Sequence, residues 1–326
     1  MVCRKDVVIR AISFNAPERV PVLYCNRDRE EGDVMMYHLS LGREPETGRA
    51  TGMFGWSINE WGYQLESSDD GTMGYPVKPP YPGLPAAAEL QMPPLQEQKR
   101  MAAVPSFIET CGDRYRLASL DLSGFTVYTL LRGFENSMED LLTAPGQFAM
   151  LMDLIMGFEC ELIRIAARHG FDGIHFADDW GTQTGLMISP NLWRRLFKPR
   201  YERQFALAHQ WGLHVWFHCC GNLTQICSDF HEIGVDVLNI SQPNVVDIDD
   251  VGRRLRGKQC FMVPISYQSV SIHGTPAEIM DEARRLYDRL GTGAGGFIGY
   301  IEEYGCMGMS EINYRACGEA FRRLIG

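Results

Sequence analysis

From about residue 105 onward, short apolar runs alternate with longer stretches in which apolar residues recur every three or four positions. The first pattern is that of buried strands, the second that of amphipathic helices. The spacing predicts strands over 115–121, 173–178, 214–219, 235–240, 259–264 and 297–301. Helices are predicted between them over 145–168, 190–211, 224–233, 248–255 and 276–290. Upstream, 20–24 is a good strand and 53–58 a poorer one, which brings the number to eight. Strands alternating with helices pair in parallel, and eight such units close a barrel of about this size. The expected fold is therefore a (β/α)8 TIM barrel, one domain over residues 1–326. The main alternative, a doubly wound open sheet, announces itself by a Gly-rich loop after the first strand, but here 20–24 is followed by CNRDREEGD. Residues 61–77, with SSDDGT at their centre, read as a hairpin inserted between the second and third strands. The Pro-rich stretch 76–94 reads as an ordered loop.

Charge narrows the partners. With 31 Lys and Arg against 41 Asp and Glu, the net charge of −10 argues against nucleic acid or an anionic membrane and leaves a small molecule as the expected ligand. Charges interrupt the N-terminal stretch MVCRKDVVIRAISF, and no window approaches a membrane span, so a cytoplasmic protein is expected. Ten scattered cysteines then read as buried thiols plus a metal site rather than disulfides; with sixteen methionines they suit a setting sheltered from oxygen.

In a β/α barrel the chemistry sits at the C-terminal ends of the strands. Those ends supply Asp121 and Ser123, Asp178 and Asp179, His218 and Cys220, Ser241, Gln242 and Asn244, Ser266 and Tyr267, and Glu302, Glu303 and Cys306. The sharpest feature is His218-x-Cys220. Alternate residues of a strand share a face, so this imidazole and thiol converge while Cys219 points away. Such a pair suits zinc, and Cys306, just past the last strand, can reach the same mouth; three ligands leave the fourth tetrahedral position open, as in catalytic sites. Buried thiols without metal are the plainer reading. Of Asp178 and Asp179, alternation lets only one face the mouth, as a general acid or base or as a substrate partner. Asn239, Gln242, Tyr267 and Glu302 are candidate substrate contacts, although the 239–244 run equally suits a turn. Trp56, Trp61 and Trp180 could stack on a flat cofactor, but core packing is the commoner role. Arg132 suits either an anion or a salt bridge to Glu135. Asp229-x-His231-x-x-Gly234 has the spacing of a cobalamin-binding signature, but it leads from a helix into a strand, the reverse of the motif's setting.

The stretches RKDVVIRAISFNAPERVPV (4–22), GIHFADDWGTQTGLMISPNLWRRLFKPRYERQF (173–205) and FHCCGNLTQICSDFHEIGVDVLNISQPN (217–244) resemble, in order, the uroporphyrinogen decarboxylase-like superfamily. The resemblance implies a (β/α)8 barrel. True decarboxylases of the superfamily carry an Arg-rich segment near RQAGRY after the first strand. Here YCNRDREEGD (24–33) has two arginines among four acids, which disfavours a polycarboxylate. The cobamide-dependent methyltransferase branch, which includes methylcobamide:coenzyme M methyltransferases, carries H-x-C on the fifth strand and a distant Cys after the eighth. His218, Cys220 and Cys306 match those positions. The resemblance implies a zinc-dependent methyltransferase working with a corrinoid held by a separate carrier protein. The other methyl partner would be a thiol, a tetrahydrofolate or a methoxylated or methylated-amine compound. Decarboxylation of a porphyrinogen or another carboxylate, and corrinoid binding without catalysis, are the alternatives.

Overall fold

The structure, a computed structural model, describes residues 2–43, 58–66 and 74–324. Eight parallel strands form one sheet: β1 Val22–Tyr24, β2 Val34–His38, β3 Tyr115–Leu122, β4 Gly173–Ala177, β5 His214–Cys219, β6 Val237–Ile240, β7 Cys260–Pro264 and β8 Phe297–Ile301. Their order, β1-β8-β7-β6-β5-β4-β3-β2, returns the first strand beside the second. This is the TIM barrel that the alternation predicts. At the β1–β2 seam, the Asp33 N–H donates to the Val22 carbonyl at 2.8 Å. The Asp33 carboxylate accepts the Val22 N–H at 2.8 Å and pairs with Arg19 at 2.5 Å. One buried acid thus stitches the closing edge.

Two cores follow from strand alternation. Outward-facing residues pack against the helices, whereas Leu23, Leu117, Trp216, Val237, Met262 and Ile298 fill the interior. Helix Arg4–Ile12 contributes Val8, Ala11 and Ile12 to that interior cluster and closes the N-terminal end. The Trp216 indole N–H donates to the Tyr115 hydroxyl at 3.3 Å, which satisfies the large polar group in this floor. One step further along, the inward positions Ser119, His175, His218, Asn239 and Tyr300 are polar, and there the cavity begins.

Helices Pro145–Arg168, Ile248–Leu255 and Pro276–Leu290 keep their predicted bounds. The helix expected over 190–211 is two, Pro190–Leu196 and Lys198–Gln210, parted at Phe197, because Pro199 cannot continue the hydrogen-bond ladder. The second strand also departs from expectation. It is Val34–His38, not 53–58. Ile58–Asn59 instead pairs antiparallel with Gly42–Arg43, outside the barrel, and 53–57 lie outside the described residues. The inserted hairpin is present as Leu65–Glu66 against Tyr75–Pro76, with its SSDDGT centre outside the described residues. The Pro-rich loop is tied down by Arg132, which donates to the Tyr81 carbonyl at 2.5 Å, and by Gln147 on Pro85 at 2.6 Å.

Candidate active site

A cavity of ≈ 480 Å³ opens at the C-terminal ends of the strands. Its apolar walls include Leu23, Met36, Phe107 and Met262; its polar groups include His38, Ser119, Asp121, His175, Asp179, His218, Cys220, Asn239, Tyr267, Glu302 and Cys306.

The β5–β6 register sets Asn239 beside His218, and the two side chains meet at 2.6 Å through His218 Nδ1. Asn239 also donates its amide to the Met262 carbonyl at 2.8 Å. Its oxygen must therefore face the ring, so Nδ1 is the donor, and in the neutral ring Nε2 carries the lone pair. That lone pair points where Cys220 Sγ stands, 3.5 Å away, and Asp179 Oδ1 lies 3.9 Å from the same nitrogen. Donor atoms of Asp179, His218 and Cys220 all fall within 4.8 Å of one another. Burial, reinforced by the Asp179 charge, holds the Cys220 thiol well above its ordinary range. A divalent cation among these groups would reverse that bias and take the thiolate as ligand. An acceptor nitrogen, a thiol and a carboxylate are a donor set that suits zinc.

The loops after β4 and β5 fix this cluster. Asp179 accepts the Cys220 N–H at 2.7 Å, and Gly181 donates to the Cys220 carbonyl at 3.1 Å. Gln242 accepts the Gly221 N–H at 2.9 Å and donates to the Tyr267 hydroxyl at 2.8 Å. Tyr267 stacks on Tyr304 at 4.6 Å, and the Tyr304 and Tyr300 hydroxyls both donate to Glu302 at 2.8 Å. A continuous set of contacts therefore joins the turn after β5 to the segment after β8. Cys306 lies on the short turn Gly305–Met307 in that segment, exposed at the cavity mouth, and is not within the 4.8 Å cluster.

Asp178 and Asp179 part company, as alternation requires. Asp178 is wholly buried away from the cavity, where it accepts the Phe125 and Thr126 N–H groups and the Thr126 hydroxyl, all at 2.8 Å, together with the Tyr201 hydroxyl. It anchors the start of helix Gly124–Arg132. Cys219 also faces away, fully buried, and accepts the Trp180 N–H at 3.2 Å. Of the substrate candidates, Asn239, Tyr267 and Glu302 line the cavity, while Gln242 stands behind it. Trp180 packs between Phe125 and Phe197, so it offers no face to a cofactor; Trp61 packs edge-on against Phe158, and Trp56 is outside the described residues. Arg132 pairs with Asp140 at 2.8 Å rather than with Glu135. Asp229 is engaged by Arg194 and Lys198, both at 2.8 Å.

Sequence reasoning missed His38, Ser119 and His175 on the cavity wall. His38 Nδ1 lies 2.5 Å from Asp121, and Ser119 Oγ lies 3.0 Å from His175 Nδ1. The rings of His175 and His218 are 6.2 Å apart. Burial and the neighbouring His218 push His175 down to about 3, so it is neutral. For Ser119 and His175 the available signal was alternation, since Ser119 lies two residues before Asp121 and both are inward positions on their strands.

The fold aligns with a methyltransferase from Methanosarcina mazei over 100% of both chains, with a TM-score of 0.72 and 15% identity. An endo-β-1,4-xylanase from Gloeophyllum trabeum aligns with 70% of this chain and 80% of its own, at 10% identity and a TM-score of 0.41. No curated protein sequence matches the chain. No helix among the described residues is long and apolar enough to cross a membrane. Residues 63–316, most of the chain and all of the barrel from the inserted hairpin onward, match the uroporphyrinogen decarboxylase (URO-D) family, and the protein belongs to it.

Proposed function

We propose that this protein is a zinc-dependent methyltransferase that moves a methyl group between a corrinoid, carried by a separate protein, and a small molecule bound in the barrel mouth. The convergence of Asp179, His218 and Cys220, with Asn239 fixing the metal-binding tautomer of His218, carries this reading. These three residues would hold the ion, and Cys306 at the mouth is a further donor facing the same space. Zinc, when bound, supplies a Lewis acid able to hold a thiol as thiolate or to polarise a heteroatom at neutral pH. Asn239 keeps the His218 lone pair available, and Asp179 holds the Cys220 backbone in place. Apolar walls exclude water from the bound methyl group, and Tyr267 and Glu302 offer polar contacts at the rim. The shared fold with the Methanosarcina methyltransferase agrees with this reading at the level of architecture.

The cavity's charge weighs against decarboxylation of a polycarboxylate. Asp121, Asp179, Glu302 and Glu303 line it against Arg29, whereas Arg27 is turned to Glu311 at 2.7 Å. Anaerobically purified protein should contain about one zinc per chain, and His218→Ala almost none. The zinc-loaded protein should exchange methyl groups between free cobalamin and candidate thiols or methyl ethers, followed through the cobalt absorbance. Metal-free protein that releases carbon dioxide from a porphyrinogen would overturn the proposal.

A further inference from the structure

The amide groups of the loop after β4 divide between two neighbours. The Asp178 N–H donates to the His218 carbonyl at 3.2 Å, the Trp180 N–H to Cys219 Sγ at 3.2 Å and the Gly181 N–H to the Cys220 carbonyl at 3.1 Å. These three bind the loop to β5 and to the turn that follows it. The Asp179 N–H points the other way and donates to Thr126 Oγ1 at 3.1 Å. Thr126 lies in the first turn of helix Gly124–Arg132, on the β3 side. A backbone amide can only donate, so the hydroxyl accepts from Asp179 and must send its own proton elsewhere. It donates to Asp178 Oδ1 at 2.8 Å.

The surrounding groups hold that hydroxyl in place. The Thr126 N–H reaches the same carboxylate oxygen at 2.8 Å, while the Phe125 N–H at 2.8 Å and the Tyr201 hydroxyl take Oδ2. Ser123 occupies the N-cap position of the helix but makes no cap bond, and its buried Oγ finds no partner among the described residues. The cap is supplied across space by Asp178, although a local serine would serve a helix start alone. Supplying it from the neighbour of Asp179 closes a ring: the Asp178 carboxylate, the Thr126 hydroxyl and the Asp179 amide.

We infer that Thr126 is a positioning residue of the candidate metal site, its hydroxyl fixing the Asp179 peptide so that the carboxylate faces Cys220. This rests on the zinc reading above and places a contributor outside the cavity, on the preceding βα unit. With its N–H held, the Asp179 peptide has a fixed plane from which the side chain reaches the Cys220 N–H at 2.7 Å. Its carboxylate then stands 3.9 Å from His218 Nε2. Groups that orient a metal ligand without touching the ion commonly change affinity by about 10–100-fold.

The test is zinc affinity of the full chain, read by chelator competition. Thr126→Val keeps the branched shape but removes the hydroxyl, and should weaken zinc about 10-fold or more. Thr126→Ser returns the hydroxyl and should stay within about threefold of wild type. Tyr201→Phe takes a donor from the far oxygen of Asp178 while the Asp179 amide stays held, so it too should stay within about threefold. In Asp179→Ala, adding Thr126→Val should cost less than about twofold more, because the hydroxyl acts through the absent carboxylate. With cobalt(II) in place of zinc, Thr126→Val should keep the thiolate charge-transfer band of Cys220 while the ligand-field bands shift. Thr126→Val that leaves zinc affinity or the ligand-field bands at wild type overturns the inference. So does a Thr126→Ser or Tyr201→Phe loss equal to that of Thr126→Val, or full additivity in the Asp179→Ala protein. In those cases wild type still binds zinc and the metal reading stands. Wild type that binds neither zinc nor cobalt ends both.

Discussion

Gly181 and Gly221 pass so close that a β-carbon on Gly181 would lie 2.4 Å from the Gly221 carbonyl carbon, and one on Gly221 would lie 2.1 Å from that of Gly181. Gly221 also has a φ of 78°. This crossing brings the loop after β4 against the turn after β5, and the Gly181 N–H to Cys220 carbonyl bond beside it holds Asp179 and Cys220 in register. Two absent side chains therefore build the candidate metal cluster.

Alanine at either glycine should separate the loops. Gly221→Ala adds left-handed strain to the clash and should cost about 2 kcal/mol or more in urea denaturation. Zinc content should fall in both variants even where the barrel persists. Gly185→Ala, whose β-carbon would meet nothing within 4 Å, should change stability by less than about 0.5 kcal/mol.

Asn239 acts on the metal through His218. Removing its oxygen in Asn239→Ala leaves both ring tautomers accessible and should lower zinc affinity about 10–100-fold, read by chelator competition. Asn239→Asp keeps an acceptor toward Nδ1 but loses the amide bond to Met262, so it should retain more affinity than the alanine variant.

How far the sequence discloses this site depends on where each partner lies. Strands β3 to β8 read clearly because each centres on an apolar run set between amphipathic helical stretches. β2 did not, because Val34–His38 follows an acidic loop and ends in a polar residue, and the run 53–58, though broken by Gly55 and Ser57, stood in its place. His218 and Cys220 are two apart, so alternation alone aligns them. His38 and Asp121 are 83 residues apart, and their contact depends on a bulge between Ser119 and Leu122 and a left-handed backbone at Asp121 that no periodicity signals. Alternation allows only one of Asp178 and Asp179 to face the cavity, but the choice rests on donors from Phe125, Thr126 and Tyr201.

The ligand set itself can be tested. The H-x-C pattern and the distant cysteine name His218, Cys220 and Cys306, whereas the geometry groups Asp179 with the first two. Cys220→Ser should abolish stoichiometric zinc. Asp179→Ala should weaken zinc at least as much as Cys306→Ser, because Asp179 both lies within the cluster and orients Cys220 through its N–H. A Cys306→Ser loss as deep as that of Cys220→Ser would favour the set read from sequence.

His175 predicts how the metal-free protein responds to acid. Its value in the folded protein is about 3 against an ordinary 6.5, with burial the largest cause and His218 the next. Between those values the unfolded chain binds a proton that the folded chain refuses. Acidification therefore favours unfolding, by about 1.4 kcal/mol per pH unit for this group. Glu159 and Asp178 act in the opposite sense, since burial raises them to about 7 and about 8 and protonation then favours the fold. His38, raised above 6.5, contributes its stabilisation fully below that value and loses it only as pH rises. The diagnostic is thus the difference between wild type and His175→Gln, which keeps a polar partner for Ser119 without a titrating ring. From pH 6.5 to 5 that difference should shift by about 2 kcal/mol in favour of the variant, read from urea midpoints of apo protein. A difference that stays flat across this interval would mean that His175 accepts its proton in the folded state and that the cavity is wetter than its packing indicates.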